Sequence, residues 1–116
     1  MITQIRPNDL AAWIASARQN GAQGDPVVLD VREPNELQVA SITADGFNLL
    51  AIPMGVVPQR LTELDPDQPV ACLCHHGGRS MQVANFLANR GFVHVANIAG
   101  GINAWSTDVD PTVPRY

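Results

Sequence analysis

The residues best suited to chemistry lie in a short loop that begins at Cys74. An apolar run at 70–73 precedes this cysteine, and a helical pattern of apolar residues starts near Ser80. Backbone N–H groups and the positive end of a helix dipole surround a thiol in such a position, and both favour its thiolate form. The pattern therefore predicts a nucleophilic cysteine rather than a buried strand residue followed by an ordinary turn.

The rest of the loop has the composition of an anion cradle. Its other members are His75, His76, Gly77, Gly78, Arg79 and Ser80. The glycines permit a left-handed backbone, so N–H groups can converge on a charged sulfur or a small oxyanion. Arg79 offers a planar fork of donors to an anionic substrate, and Ser80 can cap the helix or donate into the loop. The histidines can tune charge near neutral pH, or they can supply backbone N–H groups alone.

A second polar group follows the apolar strand predicted at 27–31. It consists of Asp30, Arg32 and Glu33. Because carboxyl ends of parallel strands meet at one edge of a sheet, we expect this group to share a crevice with Cys74. Asp30 is expected to hydrogen-bond the cysteine loop, and Arg32 and Glu33 to form an ion pair. The alternative is a plain strand end with a helix-capping turn.

Strand and helix patterns alternate along the chain. The predicted strands cover 2–5, 27–31, 49–52, 70–73 and part of 92–98; the predicted helices cover 10–17, 34–39, 57–64, 80 to a cap at Gly91, and 101–105. This alternation predicts an α/β fold with a parallel sheet covered on both faces. Residues 41–48 carry no clear pattern. Trp13 and Trp105 are expected in or at the edge of the core.

Composition narrows the class of protein. The 116 residues predict a single domain over 1–116, with an extended tail at about 107–116. A net charge of −4 argues against a nucleic-acid or anionic-membrane partner, and the absence of lysine excludes Schiff-base or P-loop lysine chemistry. There is no signal-peptide pattern and no apolar stretch of membrane-spanning length, so a cytoplasmic location is expected.

The remaining thiol and the histidines raise the question of a metal. Cys72, Cys74, His75 and His76 crowd one strand end, whereas a closed metal site draws its ligands from separated segments. We therefore expect no metal and no cofactor. Two cysteines so close together do not indicate a disulfide framework. Cys72 is expected to be a buried strand residue, with a resolving-thiol role as the alternative.

The loop at 74–80, CHHGGRS, resembles the active-site loop of rhodanese-domain sulfurtransferases. The segments 29–34 (LDVREP) and 95–105 (VANIAGGINAW) resemble two further signatures of that family, in the same order. The resemblance implies a three-layer α/β/α fold with a five-stranded parallel sheet. It also implies transfer of a sulfane sulfur from a donor such as thiosulfate to Cys74, which forms a persulfide. A thiophilic acceptor would then take that sulfur.

The chain departs from the family pattern after the first signature. Many members carry Gly-His-Ile-x-Gly-Ala there, whereas residues 40–48 read ASITADGFN and lack the histidine. We expect this segment to form the wall opposite Cys74 and to choose the sulfur donor. With Arg79 as the one arginine in the loop, thiosulfate is expected to be a mediocre substrate.

Two other functions remain open. One is a persulfide relay or protein-binding module with a protruding tail, which would take sulfur from a desulfurase and pass it to a sulfur-carrier protein for cofactor or tRNA thiolation. The other is a cysteine-dependent phosphatase or arsenate reductase. Those enzymes use a Cys-x5-Arg loop, because a tetrahedral phosphate needs a wider cradle than one sulfur atom. The Cys-x4-Arg spacing from Cys74 to Arg79 favours sulfur.

Overall fold

The chain forms a five-stranded parallel sheet in the computed structural model, which describes residues 2–116. Met1, the first residue of the predicted domain, lies outside the described residues. The strands are β1 (Thr3–Ile5), β2 (Val27–Asp30), β3 (Asn48–Ala51), β4 (Val70–Leu73) and β5 (Val95–Ile98), in the spatial order β1-β5-β4-β2-β3. All residues of β2, β4 and β5 are buried, as strands covered on both faces must be.

Helices cover both faces of this sheet. They are α1 (Leu10–Gln19), α2 (Pro34–Val39), α3 (Gly78–Asn89) and α4 (Gly101–Asp108), with 3-10 helices at Pro7–Asp9, Met54–Val56 and Pro58–Glu63. One core packs α3 and the segment around Val57 against one face, through Leu29 and Leu87. A second core packs α1 and α4 against the other face, through Ile98 and Trp105. The predicted three-layer α/β/α fold is confirmed.

Several element boundaries differ from the sequence prediction. The segment predicted as a helix at 57–64 is a 3-10 helix at Pro58–Glu63, because Arg60 leaves the helical region with φ −109° and ψ 15°. α3 begins at Gly78, two residues earlier than predicted, and α4 continues to Asp108. Within residues 2–116, no helix combines the length and the apolar character needed to cross a membrane.

The tail beyond α4 does not protrude, in contrast to the expectation from the sequence. Val113 is buried in the core beneath α4, and its carbonyl accepts a hydrogen bond from Ser106 Oγ at 2.7 Å. Arg115 Nε donates to Asn103 Oδ1 at 3.0 Å. The tail therefore folds back along α4 towards its first turn, at the carboxyl edge of the sheet.

The sheet order creates a crevice at that edge. From β2 the chain passes through α2 to β3 on one side, and from β4 it passes through α3 to β5 on the other side. β2 and β4 are hydrogen-bonded neighbours whose connections leave in opposite directions. Such a switch point is where open α/β sheets form their sites, because the diverging connections leave a gap there.

Candidate active site

Cys74 lies in this crevice, directly after β4. Its side chain is buried, with a relative exposure of 1% for the residue. The backbone N–H of Gly77 donates to the Cys74 sulfur at 3.1 Å, and Ser80 Oγ lies 3.3 Å from the same atom. The sulfur therefore accepts from one backbone N–H on the α3 side and lies within hydrogen-bond distance of a hydroxyl. An N–H donor at this distance can stabilise negative charge on the sulfur.

Ser80 belongs to a buried polar network. Its hydroxyl donates to Asn97 Oδ1, and Asn97 Nδ2 donates to the Gly77 carbonyl at 3.1 Å and to Gln4 Oε1 at 2.9 Å. A serine has one hydrogen, so Ser80 can donate to Asn97 while accepting from a neutral thiol, or turn that hydrogen to a thiolate. Ser80 does not cap α3, because Gly77 occupies the N-cap position.

Two glycines allow the close approach of the loop to α4. Gly77 has a φ of +109°, which starts α3 immediately after the loop. A Cβ at Gly101 would collide with the carbonyl oxygens of Cys74 and His75. Because Gly101 has none, the N–H of Ile102 donates to the Cys74 carbonyl at 2.8 Å, and the next N–H donates to that of His75 at 3.2 Å. The first turn of α4 thus fixes the backbone of the Cys74 loop through two hydrogen bonds.

Asp30 and Arg32 form a pair that the sequence did not predict. Arg32 Nε donates to Asp30 Oδ1 at 2.9 Å, and Nη2 donates to Oδ2 at 2.7 Å, with both side chains buried. Two expectations are therefore wrong. Asp30 bonds Arg32 instead of the cysteine loop, because both of its carboxylate oxygens accept from the Arg32 guanidinium. Glu33 is exposed at the start of α2 and makes no pair with Arg32.

Arg79 is paired with a residue that the sequence analysis did not single out. Its Nη1 and Nη2 atoms donate to the two carboxylate oxygens of Glu36 at 2.7 and 2.8 Å. The Arg79 hydrogen bonds are the largest cause that lowers the pKa of Glu36 to about 2, and the pKa of Arg79 is raised in turn. Negative charge on Cys74 also raises the pKa of Arg79, as expected of two groups that share one site.

His75 and His76 form an aromatic stack with Tyr116. The His75 ring lies 3.8 Å from the Tyr116 ring, at an interplanar angle of 5°, and 3.9 Å from the His76 ring. The Tyr116 hydroxyl donates to Glu36 Oε1 at 2.9 Å and accepts from Arg32 Nη1 at 3.1 Å. Tyr116 was also missed, since nothing in the local sequence of the tail shows that it returns to this edge.

The wall of the site differs from the expected one. Residues 43–47 line a groove with Pro7, the first turns of α1 and the C-terminal part of α4. Cys74 and its loop are not among the residues that line this groove. The wall near Cys74 is instead provided by Glu36 and Tyr116, which contact Arg79 and His75.

Cys72 lies on β4, two residues before Cys74, and is fully buried. Burial, together with a smaller effect of negative charge on Cys74, raises the pKa of the Cys72 thiol to about 12. This supports the structural interpretation of Cys72 over a resolving thiol. Among the described residues 2–116, no three or more His, Cys, Asp or Glu side chains are grouped as metal ligands would be.

Comparison with known proteins gives the family of this chain. The model of the rhodanese-like domain matches residues 11–108. A sulfurtransferase of Allochromatium vinosum is 30% identical over 113 residues, covering 97% of this chain and 96% of that protein. The chain also matches the rhodanese-like/PpiC domain-containing protein 12, chloroplastic, of Arabidopsis thaliana. The identity there is 46% over 91 residues, which are 77% of this chain but 30% of the relative.

A solved structure agrees with these sequence matches. The rhodanese-related protein of Thermoplasma volcanium has a TM-score of 0.73 and 31% identity, and the match covers 98% of this chain and 99% of that one. Fold and site thus define a cysteine-centred α/β domain. The chain belongs to the rhodanese-like domain family, and its homologues named as sulfurtransferases support a sulfurtransferase role.

Proposed function

We propose that this protein transfers a sulfane sulfur through a persulfide on Cys74. The observation that carries the proposal is the position of the Cys74 sulfur, with the Gly77 N–H at 3.1 Å and Ser80 Oγ at 3.3 Å. A persulfide keeps its negative charge on sulfur, so donors arranged for a thiolate also suit the product of the first step. No cofactor is needed for this exchange.

The proposed reaction has two displacement steps. The Cys74 thiolate attacks the outer sulfur of a donor such as thiosulfate, and a new sulfur–sulfur bond forms at Sγ. The bond between the outer sulfur and the sulfonate sulfur breaks, and its electron pair leaves with sulfite. A thiophilic acceptor then attacks the terminal sulfur of the persulfide, and the Cys74 thiolate is the leaving group. Charge and atoms balance in each step.

The test is the intact mass of the protein after incubation with thiosulfate. We expect a gain of one sulfur atom that cyanide removes, with thiocyanate as the product. The adduct should be absent in Cys74→Ser and present in Cys72→Ser, because burial and a pKa of about 12 keep Cys72 as an unreactive thiol. An adduct that persists in Cys74→Ser would overturn the assignment of Cys74.

A second candidate role is a persulfide relay between proteins, and the Arg79–Glu36 pair favours it. The pair cancels the charge of the loop arginine, so a small anionic donor gains little from it. The relay role predicts weak turnover of thiosulfate but ready acceptance of sulfur from a desulfurase and delivery to a sulfur-carrier protein. Rapid thiosulfate turnover without transfer to or from a protein would contradict it. A cytoplasmic location belongs to this proposal, since a reducing compartment keeps the thiol free.

A further inference from the structure

The Glu36 carboxylate is held by an unusually complete set of donors. Arg79 Nη1 and Nη2 donate to its two oxygens at 2.7 and 2.8 Å, the Tyr116 hydroxyl donates at 2.9 Å, and the Glu33 N–H donates at 2.9 Å. The Glu36 side chain is 14% exposed and that of Arg79 is 32% exposed. The carboxylate is thus fixed on Arg79, and it cancels the positive charge of that arginine.

The hydrogen bond between Tyr116 and Glu36 has a defined donor and acceptor. Arg32 Nη1 lies 3.1 Å from the Tyr116 hydroxyl, and a guanidinium can only donate. The tyrosine oxygen therefore accepts from Arg32, and its one hydrogen points to Glu36. Arg32 itself is immobilised by its buried pair with Asp30, and the Tyr116 ring lies flat on His75 at 3.8 Å. The Tyr116 hydroxyl thus makes two hydrogen bonds, and the Tyr116 ring packs against the Cys74 loop.

We propose that Glu36, positioned by Tyr116, sets the charge of the sulfur donor that this site accepts. The inference rests on the proposed function and deepens it. With Glu36 in place, the Asp30–Arg32 and Glu36–Arg79 pairs are each neutral. A dianion such as thiosulfate competes with Glu36 for Arg79 and is repelled by the carboxylate. A donor with less charge, or a persulfide carried by a protein, meets no such competition.

A charge-selectivity measurement tests this without requiring sulfur transfer. Cys74 is alkylated with iodoacetate, an anion, and with iodoacetamide, its neutral analogue, and peptide mass mapping assigns the product to Cys74. The ratio of the two rates reports the effect of the charge of the reagent, because the reactivity of the sulfur contributes to both rates. Tyr116→Phe removes the hydroxyl and keeps the ring. We expect it to raise the iodoacetate/iodoacetamide ratio roughly two- to tenfold, the effect of one hydrogen bond.

Glu36→Gln removes the competing charge directly and should raise the same ratio roughly tenfold. The increase in both variants should shrink at about 1 M salt, which a merely structural change would not cause. Thr112→Val is the matched control: it removes a tail hydroxyl that bonds Asp110 and lies away from the site. An unchanged ratio in Tyr116→Phe, or an equal rise in Thr112→Val, would overturn the proposal.

The sulfur donors themselves give the second measurement. Thiosulfate carries two negative charges, and methanethiosulfonate presents the same sulfane sulfur with one; its displacement by Cys74 releases methanesulfinate in place of sulfite. We expect Glu36→Gln to raise kcat/KM for thiosulfate roughly threefold or more relative to methanethiosulfonate. A wild-type protein that gains sulfur from neither donor would refute the small-donor form of the proposed function, while the alkylation ratios would still decide the role of Glu36.

Discussion

Gly101→Ala is the substitution whose cost the structure defines most closely. Gly101 has a φ of +58°, where an alanine costs about 1–2 kcal/mol. The new Cβ would also collide with the carbonyl oxygens of Cys74 and His75, which are backbone atoms and cannot turn aside. Moving α4 away weakens the two hydrogen bonds that it donates to those carbonyls, at roughly 0.5–1.5 kcal/mol each. We expect a total loss of about 2–5 kcal/mol in the free energy of unfolding.

Equilibrium unfolding in urea, followed by tryptophan fluorescence, measures this loss. Gly21→Ala is the matched control, because Gly21 has a φ of +97° with nothing within 4 Å of its would-be Cβ. The free energy of unfolding of the control should fall only by the cost of a left-handed backbone at an alanine, about 1–2 kcal/mol. Equal losses in the two variants would refute the argument that close approach between α4 and the Cys74 loop requires a glycine at this position.

Two further predictions concern the network and the ion pair around Cys74. Ser80→Ala should slow alkylation of Cys74 by iodoacetamide roughly threefold, since it removes the hydroxyl that can turn its hydrogen to the thiolate. It should also destabilise the fold by about 1–3 kcal/mol, since the Asn97 Oδ1 atom loses its donor when Cys74 is a neutral thiol. Ser106→Ala, which removes a buried hydroxyl elsewhere, should destabilise the fold without slowing the alkylation. In acid, the lowered pKa of Glu36 means that its pair with Arg79 stabilises the fold above pH 4.5 and loses this effect as pH falls towards about 2. Solvent screening limits the contribution to roughly 1–2 kcal/mol, so stability measured between pH 5 and pH 2 should fall less steeply in Glu36→Gln; parallel curves would contradict this.

The sequence analysis succeeded where the structure is local. Cys74, Gly77 and Arg79 lie within six consecutive residues, so their spacing alone predicts a small loop between a strand and a helix. The three-layer fold was also accessible, because apolar strands alternate with amphipathic helices along the chain. The prediction of helix type was less reliable at 57–64, where the spacing of apolar residues does not distinguish an α-helix from a 3-10 helix.

Pairing partners were the part that the sequence could not predict. Arg32 was expected to pair with Glu33, its neighbour in the chain, but it turns back onto Asp30. Glu36 reaches Arg79 across 43 residues, and Asn97 reaches Ser80 across 17. Such contacts depend on which strands are neighbours at the carboxyl edge, and a local pattern contains no information about that order.

The sequence by itself determined where the Cys74 loop lies, how long it is and the class of fold, because each of these depends on residues that are close together in the chain. Only the tertiary structure decided what surrounds the nucleophile. The sheet order brings α2 and α3 to either side of one crevice, and the returning tail adds Tyr116 to it. The segment 43–47 lines a separate groove with α1 and α4, which its local sequence could not show because these partners are distant in the chain.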